Sequence, residues 1–249
     1  MNTTSPWSSK HAGLTPPSSR PILRNTFVGL AVYLMLTSGV YAQADHYVSK
    51  DGLNIAPYST VDNAARTIQS AINVASHDES ILVLQGTYSG PGNNRIDFKG
   101  KRIKLMTQGG YENTIIDCES NGPAFLFHSG ESAKSILSGL TIQNCGQSSE
   151  FPAGYFYVVN PASGIVCISN SSPLISSCRI TNNKAFTGGG IYIKSSKPRI
   201  EDCIIEANYA AYGGGIYCAK GNIVVSNCTI SAGQAAILIN DPPFLLCEI

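Results

Sequence analysis

An internal repeat of 25 residues constrains this chain more than any other feature of its sequence. Three cysteines stand 25 residues apart, and two runs of three glycines, 188–190 and 213–215, show the same interval. Two unrelated sequence features rarely share the same spacing by chance. The repeated cysteines are Cys178, Cys203 and Cys228.

Each repeat unit contains two or three short β-strands. Isoleucines recur on both sides of the repeated cysteine, as at Ile175 and Ile180, and successive strand residues point to opposite faces. A unit this short cannot enclose a core alone, so we expect units to stack, with like residues in ladders about 4.8 Å apart. Alternation predicts side chains that point into the core at Cys178, Ile180, Ile191 and Ile193. It predicts side chains that point to solvent at Arg179, Tyr192, Ile204 and Tyr217.

A leucine-rich repeat is the alternative solenoid for this period. Ile175, Cys178, Ile180 and Asn183 fit its L-x-x-L-x-L-x-x-N pattern. The rest of such a unit is usually helical or rich in leucine, whereas here it reads GGGIYIKSSKP, which favours a strand and a tight turn. The sequence therefore favours a parallel β-helix.

Outside the repeat, the chain shows one helix and many short strands. The helix is predicted over Ser59–Ser76, because apolar residues fall at i, i+3, i+4 and i+7 from Ile68 and because Ser59 and Asp62 fit a capping box. The first strands are predicted at Ile81–Leu84, Ile103–Leu105, Thr114–Ile116 and Ala124–Phe127.

Residues 1–44 have the pattern of a secretory signal peptide. Two arginines precede an apolar run from Phe27 to Val40, which small residues follow up to Ala44. A membrane-spanning helix usually needs about 20 apolar residues, although the long segment before this run leaves a signal anchor open. We predict a secreted or surface-displayed domain over 45–249, with truncation at its C-terminus left open.

Several motifs resemble the pectin lyase-like right-handed β-helix superfamily. They are YVSKDG, TIQSAINVA, ILVLQGTY, TIIDC, FLFHSGE, LSGLTIQNC and the repeated GGGIY, which together span nearly all of residues 46–240. The GGGI units are also similar to repeats of chlamydial polymorphic outer-membrane proteins and related adhesins. The resemblance implies an all-β, right-handed parallel β-helix solenoid with an N-terminal capping helix, which would cover an edge that otherwise invites aggregation.

The resemblance implies two classes of function. The first is a binding or adhesive surface for a polysaccharide or another cell-surface ligand. The alternative is a polysaccharide lyase or glycoside hydrolase acting on acidic polysaccharide. Seventeen basic and sixteen acidic residues leave a formal net charge of +1, so composition indicates neither nucleic acid nor an anionic membrane as a partner.

Aromatic side chains are the candidate ligand-binding residues. Matching Leu140 and Ile142 to Cys178 and Ile180 leaves 13 extra residues in one coil, and this insertion is rich in aromatic residues. With the outward tyrosines of the repeat they could form a surface on which sugar rings stack, or they could pack the insertion onto the coil. The candidates are Tyr155, Tyr157, Tyr192 and Tyr217.

Cysteine and asparagine ladders have structural explanations. The repeated cysteines take apolar positions, and Cys167 and Cys218 replace Ile193 at another, so we predict core filling. Stacked neighbours would nevertheless lie within the 4.4–6.8 Å Cα separation that permits a disulfide. Amides at Asn183 and Asn208 are expected to hydrogen-bond along the axis.

No catalytic constellation is evident in the sequence. A lyase would need clustered carboxylates for calcium and a basic residue to abstract a proton, but Asp202 stacks between Ser177 and Asn227. A hydrolase would need paired carboxylates. His128 and Glu131 fall at a turn, where a structural role is expected. We assign no catalytic residue, metal site or cofactor, and calcium is implied only by the lyase alternative.

Overall fold

The computed structural model describes residues 43–147, 163–232, 235–240 and 246–247. This part of the chain contains one short helix, and the rest of its regular structure is short strands. No helix within it is long and apolar enough to cross a membrane. The elements are β1 (His46–Val48), α1 (Ile68–Val74), β2 (Ser80–Val83), β3 (Gly86–Tyr88), β4 (Ile96–Asp97), β5 (Lys104–Thr107), β6 (Thr114–Asp117), β7 (Asn121–Gly122), β8 (Phe125–Phe127), β9 (Ile136–Ser138), β10 (Thr141–Gln143), β11 (Gly146–Gln147), β12 (Ile165–Cys167), β13 (Leu174–Ser176), β14 (Arg179–Thr181), β15 (Lys184–Thr187), β16 (Ile191–Lys194), β17 (Arg199–Glu201), β18 (Ile204–Tyr212), β19 (Ile216–Ala219), β20 (Val224–Ser226), β21 (Thr229–Ala232), β22 (Ile237–Asn240) and β23 (Leu246–Cys247).

Three parallel sheets run along the molecule. The first follows the order β1-β2-β5-β9-β13-β17-β20-β23, and the third follows β4-β8-β12-β16-β19-β22. The second follows β3-β6-β10-β14-β18-β21, with β15 added beside β18. The chain visits the three sheets in turn and returns one rung further on. This topology is the parallel β-helix that the sequence predicts, and it has about six turns.

Strand pairing confirms the 25-residue register. Ile175 pairs with Ile200, and the glycine runs stack so that the backbone N–H of Gly190 donates to the carbonyl of Gly214 at 3.0 Å. A Cβ atom on Gly190 would lie 2.6 Å from the carbonyl oxygen of Gly215, so this close approach requires glycine. The residues after the glycines form β16 and β19, which excludes the leucine-rich alternative.

The core is one column of side chains enclosed by the three sheets. Cys178, Ile180, Ile191 and Ile193 have no exposed surface, as alternation predicts. Cys203 and Cys218 are also buried free thiols, so core filling is confirmed. Aromatic rings fill the earlier coils, where the centroids of Phe98 and Phe127 lie 4.8 Å apart.

Helix α1 begins at Ile68 and not at Ser59, so the predicted capping box is wrong. Thr67 is the N-cap, and its hydroxyl accepts a hydrogen bond from the backbone N–H of Ser70 at 3.3 Å. The preceding segment is not helical because Ala65 pairs with the backbone of β1. Long-range pairing thus overrides the local helical pattern.

The helix packs against strands of the first coil. It contacts β1, β2 and β4 and buries Ile68, Ala71 and Ile72 in the core. The ammonium group of Lys101 holds its C-terminal end by donating to the carbonyls of Ile72 at 2.7 Å, Asn73 at 3.1 Å and Ala75 at 2.7 Å.

A polar ladder runs through the turn that follows the second sheet. It begins with a disulfide between Cys118 and Cys145, whose Cα atoms are 4.8 Å apart. The backbone N–H of Cys145 donates to Oδ1 of Asn183 at 2.8 Å, and Nδ2 of Asn183 donates to Oδ1 of Asn208 at 3.0 Å. The asparagine ladder is confirmed, and the disulfide is one that sequence reasoning missed.

Replacing Asn208 with Ala is expected to lower the free energy of unfolding by about 2–3 kcal/mol, because it leaves two buried donors of Asn183 without their acceptor. Urea denaturation of the two proteins measures the difference. Asn240→Ala, which removes an exposed amide, is the matched control and should change stability by less than about 0.5 kcal/mol. Equal effects of the two substitutions would contradict the ladder's role.

A polar contact links β1 to the segment that follows α1. Nε2 of His46 lies 2.9 Å from Oε2 of Glu79, and Nδ1 lies 2.6 Å from the carbonyl oxygen of Pro57. Both ring nitrogens therefore face acceptor oxygens. The backbone N–H of Ser76, and next the ring of His46, donate to Glu79 and lower the pKa of its carboxyl.

This lowered pKa predicts acid sensitivity. A carboxyl whose pKa is lower in the folded chain stabilises the fold above its unfolded pKa, and the contribution is lost as the pH falls through its folded pKa. Glu79→Gln should therefore lower stability at pH 7 and reduce its loss between about pH 5 and pH 3. Thermal unfolding across this range measures both effects. An unchanged pH dependence would show that Glu79 contributes nothing.

Candidate functional site

Tyr192 and Tyr217 form a ladder on the outer face of the third sheet. Their ring centroids are 5.6 Å apart and their planes differ by 6°, so each ring covers one face of the other. The strand register continues this ladder to Val166 on one side and Leu238 on the other. Both rings are half-buried, and Nδ2 of Asn240 donates to the Tyr217 hydroxyl at 3.3 Å. The ladder presents ring edges and hydroxyls, with part of its ring faces covered.

The other two candidates, Tyr155 and Tyr157, lie outside the described residues. The predicted outward direction holds for Tyr192 and Tyr217, and their part in ligand binding stays a prediction.

A second surface, which sequence reasoning missed, lies at the N-terminal ends of β2, β5 and β9 in the first sheet. It is a depression of about 320 Å³, and we name it the cationic groove. Its lining residues are Asp78, Arg102, Lys104, Ala133, Lys134 and Ile136.

The first sheet positions the cations of this groove. Lys104 opens β5 and points outward, because its neighbour Leu105 points into the core. Lys104 is aligned with Ser80 on β2 and with Ile136 on β9. Arg102 precedes Lys104 and Lys134 precedes Ile136, so these two cations lie at equivalent positions of adjacent strands. The groove is therefore built from three consecutive rungs and runs along the axis.

The groove carries more positive than negative charge. Arg102 forms a bidentate pair with Asp78, with Nη2–Oδ2 at 2.7 Å and Nε–Oδ1 at 3.2 Å. This pair lowers the pKa of Asp78. In the part of the chain that the structure describes, neither Lys104 nor Lys134 has a carboxylate within 4.0 Å. Two exposed ammonium groups thus remain available to an anionic ligand.

Carboxylates elsewhere on the coil are held in separate local contacts. On the second sheet Arg179 pairs with Glu206, and on the first Arg199 pairs with Glu201. Asp202 accepts a hydrogen bond from the side chain of Asn227, as its predicted stacking implies. Within 43–147, 163–232 and the two short segments beyond, no group of three or more His, Cys, Asp or Glu could hold a metal ion.

Glu131 has the structural role that the sequence predicts. Its buried carboxylate accepts hydrogen bonds from the backbone N–H groups of Gly100 at 2.8 Å and Ser129 at 3.0 Å, and from the Ser171 hydroxyl at 2.8 Å. His128 instead lies with Nε2 3.3 Å from Oδ2 of Asp97. The two side chains therefore serve different neighbours.

The basic sequence FKGKRIK at residues 98–104 is the signal that could have indicated the groove. Lys134, by contrast, is 30 positions from Lys104 and carries no local signal of its own. Only the stacking of coils brings the two together.

Comparison with known proteins identifies the fold family. The profile described as "right handed beta helix region" matches residues 46–242. No curated protein matches the chain.

Solved structures with similar folds include three proteins. A mutant pectin methylesterase in complex with a hexasaccharide is 12% identical, with a TM-score of 0.45 and coverage of 74% of this chain and 56% of that one. The carrot pectin methylesterase is 15% identical, with a TM-score of 0.44 and coverage of 75% of this chain and 54% of that one. Escherichia coli YbhC is 14% identical, with a TM-score of 0.47 and coverage of 75% of this chain and 57% of that one. The chain spans just over half the length of these structures.

Proposed function

The chain belongs to the right-handed β-helix family, and on that premise we propose that it binds an acidic polysaccharide along the outside of its coil. The observation that carries the proposal is the cationic groove, where Lys104 and Lys134 present two ammonium groups with no carboxylate of the described residues within 4.0 Å. Carboxylate or sulfate groups of a polysaccharide would pair with them by charge-assisted hydrogen bonds.

The shape of the groove favours an extended ligand. Arg102 and Lys104 belong to one rung and Lys134 to the next, about 4.8 Å away, so the positive charges of the groove follow the axis of the coil. The groove is open, and the side chains of Arg102 and Asp78 are 41% and 57% exposed. A chain molecule with repeated anionic groups could contact several rungs at once, which raises its effective concentration at each one.

The Tyr192–Tyr217 ladder is a second contact within this proposal. Its hydroxyls and ring edges would meet sugar hydroxyls, since part of the ring faces is already covered. Secretion or surface display, which the first 44 residues predict, would expose both surfaces to polysaccharide outside the cell. An adhesive role of the kind that the GGGI units imply also belongs to this proposal.

Replacing Lys104 and Lys134 with Gln is expected to weaken binding of the full chain to polygalacturonate and alginate at least about tenfold, because both free cations of the groove are lost. Binding of the unaltered chain should also weaken as salt rises from 0.05 to 0.5 M. Isothermal titration calorimetry measures both effects. Lys220→Asn is the matched control, since it removes an exposed cation elsewhere and Asn tolerates the positive φ at this position.

Unchanged affinity in the double variant would overturn the assignment to the groove. Release of unsaturated or reducing ends from either polymer by the unaltered chain, with or without calcium, would replace simple binding with the lyase or hydrolase alternative.

Replacing both Tyr192 and Tyr217 with Phe should reduce affinity for the same polymers by about two- to fivefold, because it removes two hydroxyls and keeps the ring stack. The same titration measures the change, and thermal unfolding checks that the ladder is intact. Full affinity in this variant and in the corresponding double Ala variant would remove the ladder from the proposal.

A further inference from the structure

Three free thiols are stacked in the later coils, just before the second sheet. They are Cys178, Cys203 and Cys228, and we name them the thiol ladder. Each directly precedes one of the strands β14, β18 and β21, which pair in register. The carbonyl of Cys178 accepts a hydrogen bond from the N–H of Ile204, and that of Cys203 accepts one from Thr229, both at 2.9 Å. The three cysteines therefore occupy equivalent positions of successive rungs.

The backbone spacing of the thiol ladder permits a disulfide. Successive rungs of a sheet lie about 4.8 Å apart, and a disulfide requires a Cα separation of roughly 4.4–6.8 Å. The chain already links two successive coils in this way, since the Cα atoms of Cys118 and Cys145 are 4.8 Å apart in their disulfide. Rung spacing in this fold is thus compatible with a covalent link between coils.

The thiols of neighbouring rungs also interact directly. The thiol of Cys203 shares hydrogen bonds with those of Cys178 and Cys228. The sulfur of Cys228 accepts a further hydrogen bond from the backbone N–H of Cys203 at 3.3 Å, so it lies against the preceding rung. Rotation of the two side chains, with little movement of the backbone, can therefore bring these sulfur atoms to bonding distance.

Exposure distinguishes the three members of the thiol ladder. Cys178 is fully buried and Cys203 is 1% exposed, whereas Cys228 is partly exposed. A dissolved oxidant can therefore reach the ladder at Cys228, which has Cys203 as its neighbour. The hydrogen bond with Cys203, and next burial, raise the pKa of the Cys228 thiol. Because the thiolate is the reactive form, exchange at neutral pH is slow and the thiols persist until an oxidant acts.

We propose that the thiol ladder is a redox modification site, at which a low-molecular-weight disulfide converts Cys203 and Cys228 to a disulfide that stabilises the later coils. The thiolate of Cys228 attacks one sulfur of the oxidant, which gives a mixed disulfide and releases one reagent thiolate. The thiolate of Cys203 then attacks the Cys228 sulfur, and the second reagent thiolate leaves. The protein loses two electrons and two protons, which the oxidant gains as two thiols, and Cys178 keeps its thiol.

Oxidation would tie together coils that the structure shows without such a link. The thiols are free in the structure, so the rungs that carry them are joined to one another by hydrogen bonds and packing. A disulfide that closes a loop of this length stabilises a fold chiefly by restricting the unfolded chain. The proposal goes beyond polysaccharide binding, because no residue of the cationic groove or of the Tyr192–Tyr217 ladder takes part.

Incubation of the full chain with oxidised glutathione at about pH 8, without denaturant, tests the site. Alkylation then marks the remaining free thiols, and tandem mass spectrometry of the unreduced digest identifies the linked cysteines. We expect a cross-link between Cys203 and Cys228 with no glutathione attached. The midpoint of thermal unfolding should be at least about 4 °C higher for the cross-linked chain than for the chain with free thiols.

Two valine variants test the choice of cysteines. Cys228→Val removes the exposed member, so the treated variant should form no cross-link within the thiol ladder and show no thermal shift. Cys218→Val is the matched control, because Cys218 is a free thiol of the third sheet whose strand neighbours are Ile193 and Ile239. This control should form the cross-link and show the thermal shift as the unaltered chain does.

Four results would contradict the proposal. In the treated, unaltered chain they are alkylation of all three ladder thiols, glutathione retained on Cys228, or a link from Cys203 to Cys178. The fourth is a Cys203–Cys228 link that leaves thermal unfolding unchanged, which would remove its stabilising role. All four are measured on the unaltered chain, so they hold even where a variant fails to fold. None depends on whether the cationic groove binds acidic polysaccharide.

Discussion

Parallel backbone pairing between consecutive coils is the constraint on which the rest of this structure depends. Each strand finds its hydrogen-bond partners one rung away, so a side chain must lie next to the residue in the same position of the neighbouring coil. Packing then favours the same residue type at equivalent positions of successive coils, because a stack of isoleucines fills the core evenly. The same constraint stacks glycines where the chain turns tightly and asparagines where the turn carries buried amides.

Much of the architecture follows from this constraint and was predictable from the sequence. The 25-residue period, the core positions and the outward tyrosines all depend on alternation and register, which the residue pattern shows directly. The start of α1 was not predictable from local pattern, because the pairing of Ala65 with the first strand decides it. Cys118 and Cys145 lie outside the 25-residue period, at a separation of 27, so the repeat gave no reason to pair them.

The cationic groove, which sequence reasoning missed, was hidden for a physical reason. It gathers Arg102 and Lys104 from one coil and Lys134 from the next, and a net charge of +1 for the whole chain conceals such local asymmetry.

The disulfide at the start of the polar ladder has a mechanical consequence. In a solenoid each coil contacts only its neighbours, so a pull on the chain would peel coils away one after another from the loaded end. The covalent link between Cys118 and Cys145 removes the 26 residues between them from the length that can be drawn out. That segment would otherwise extend by roughly 90 Å. A chain pulled by its C-terminus would therefore lengthen freely through its later coils and then transmit the load past this segment without unravelling it.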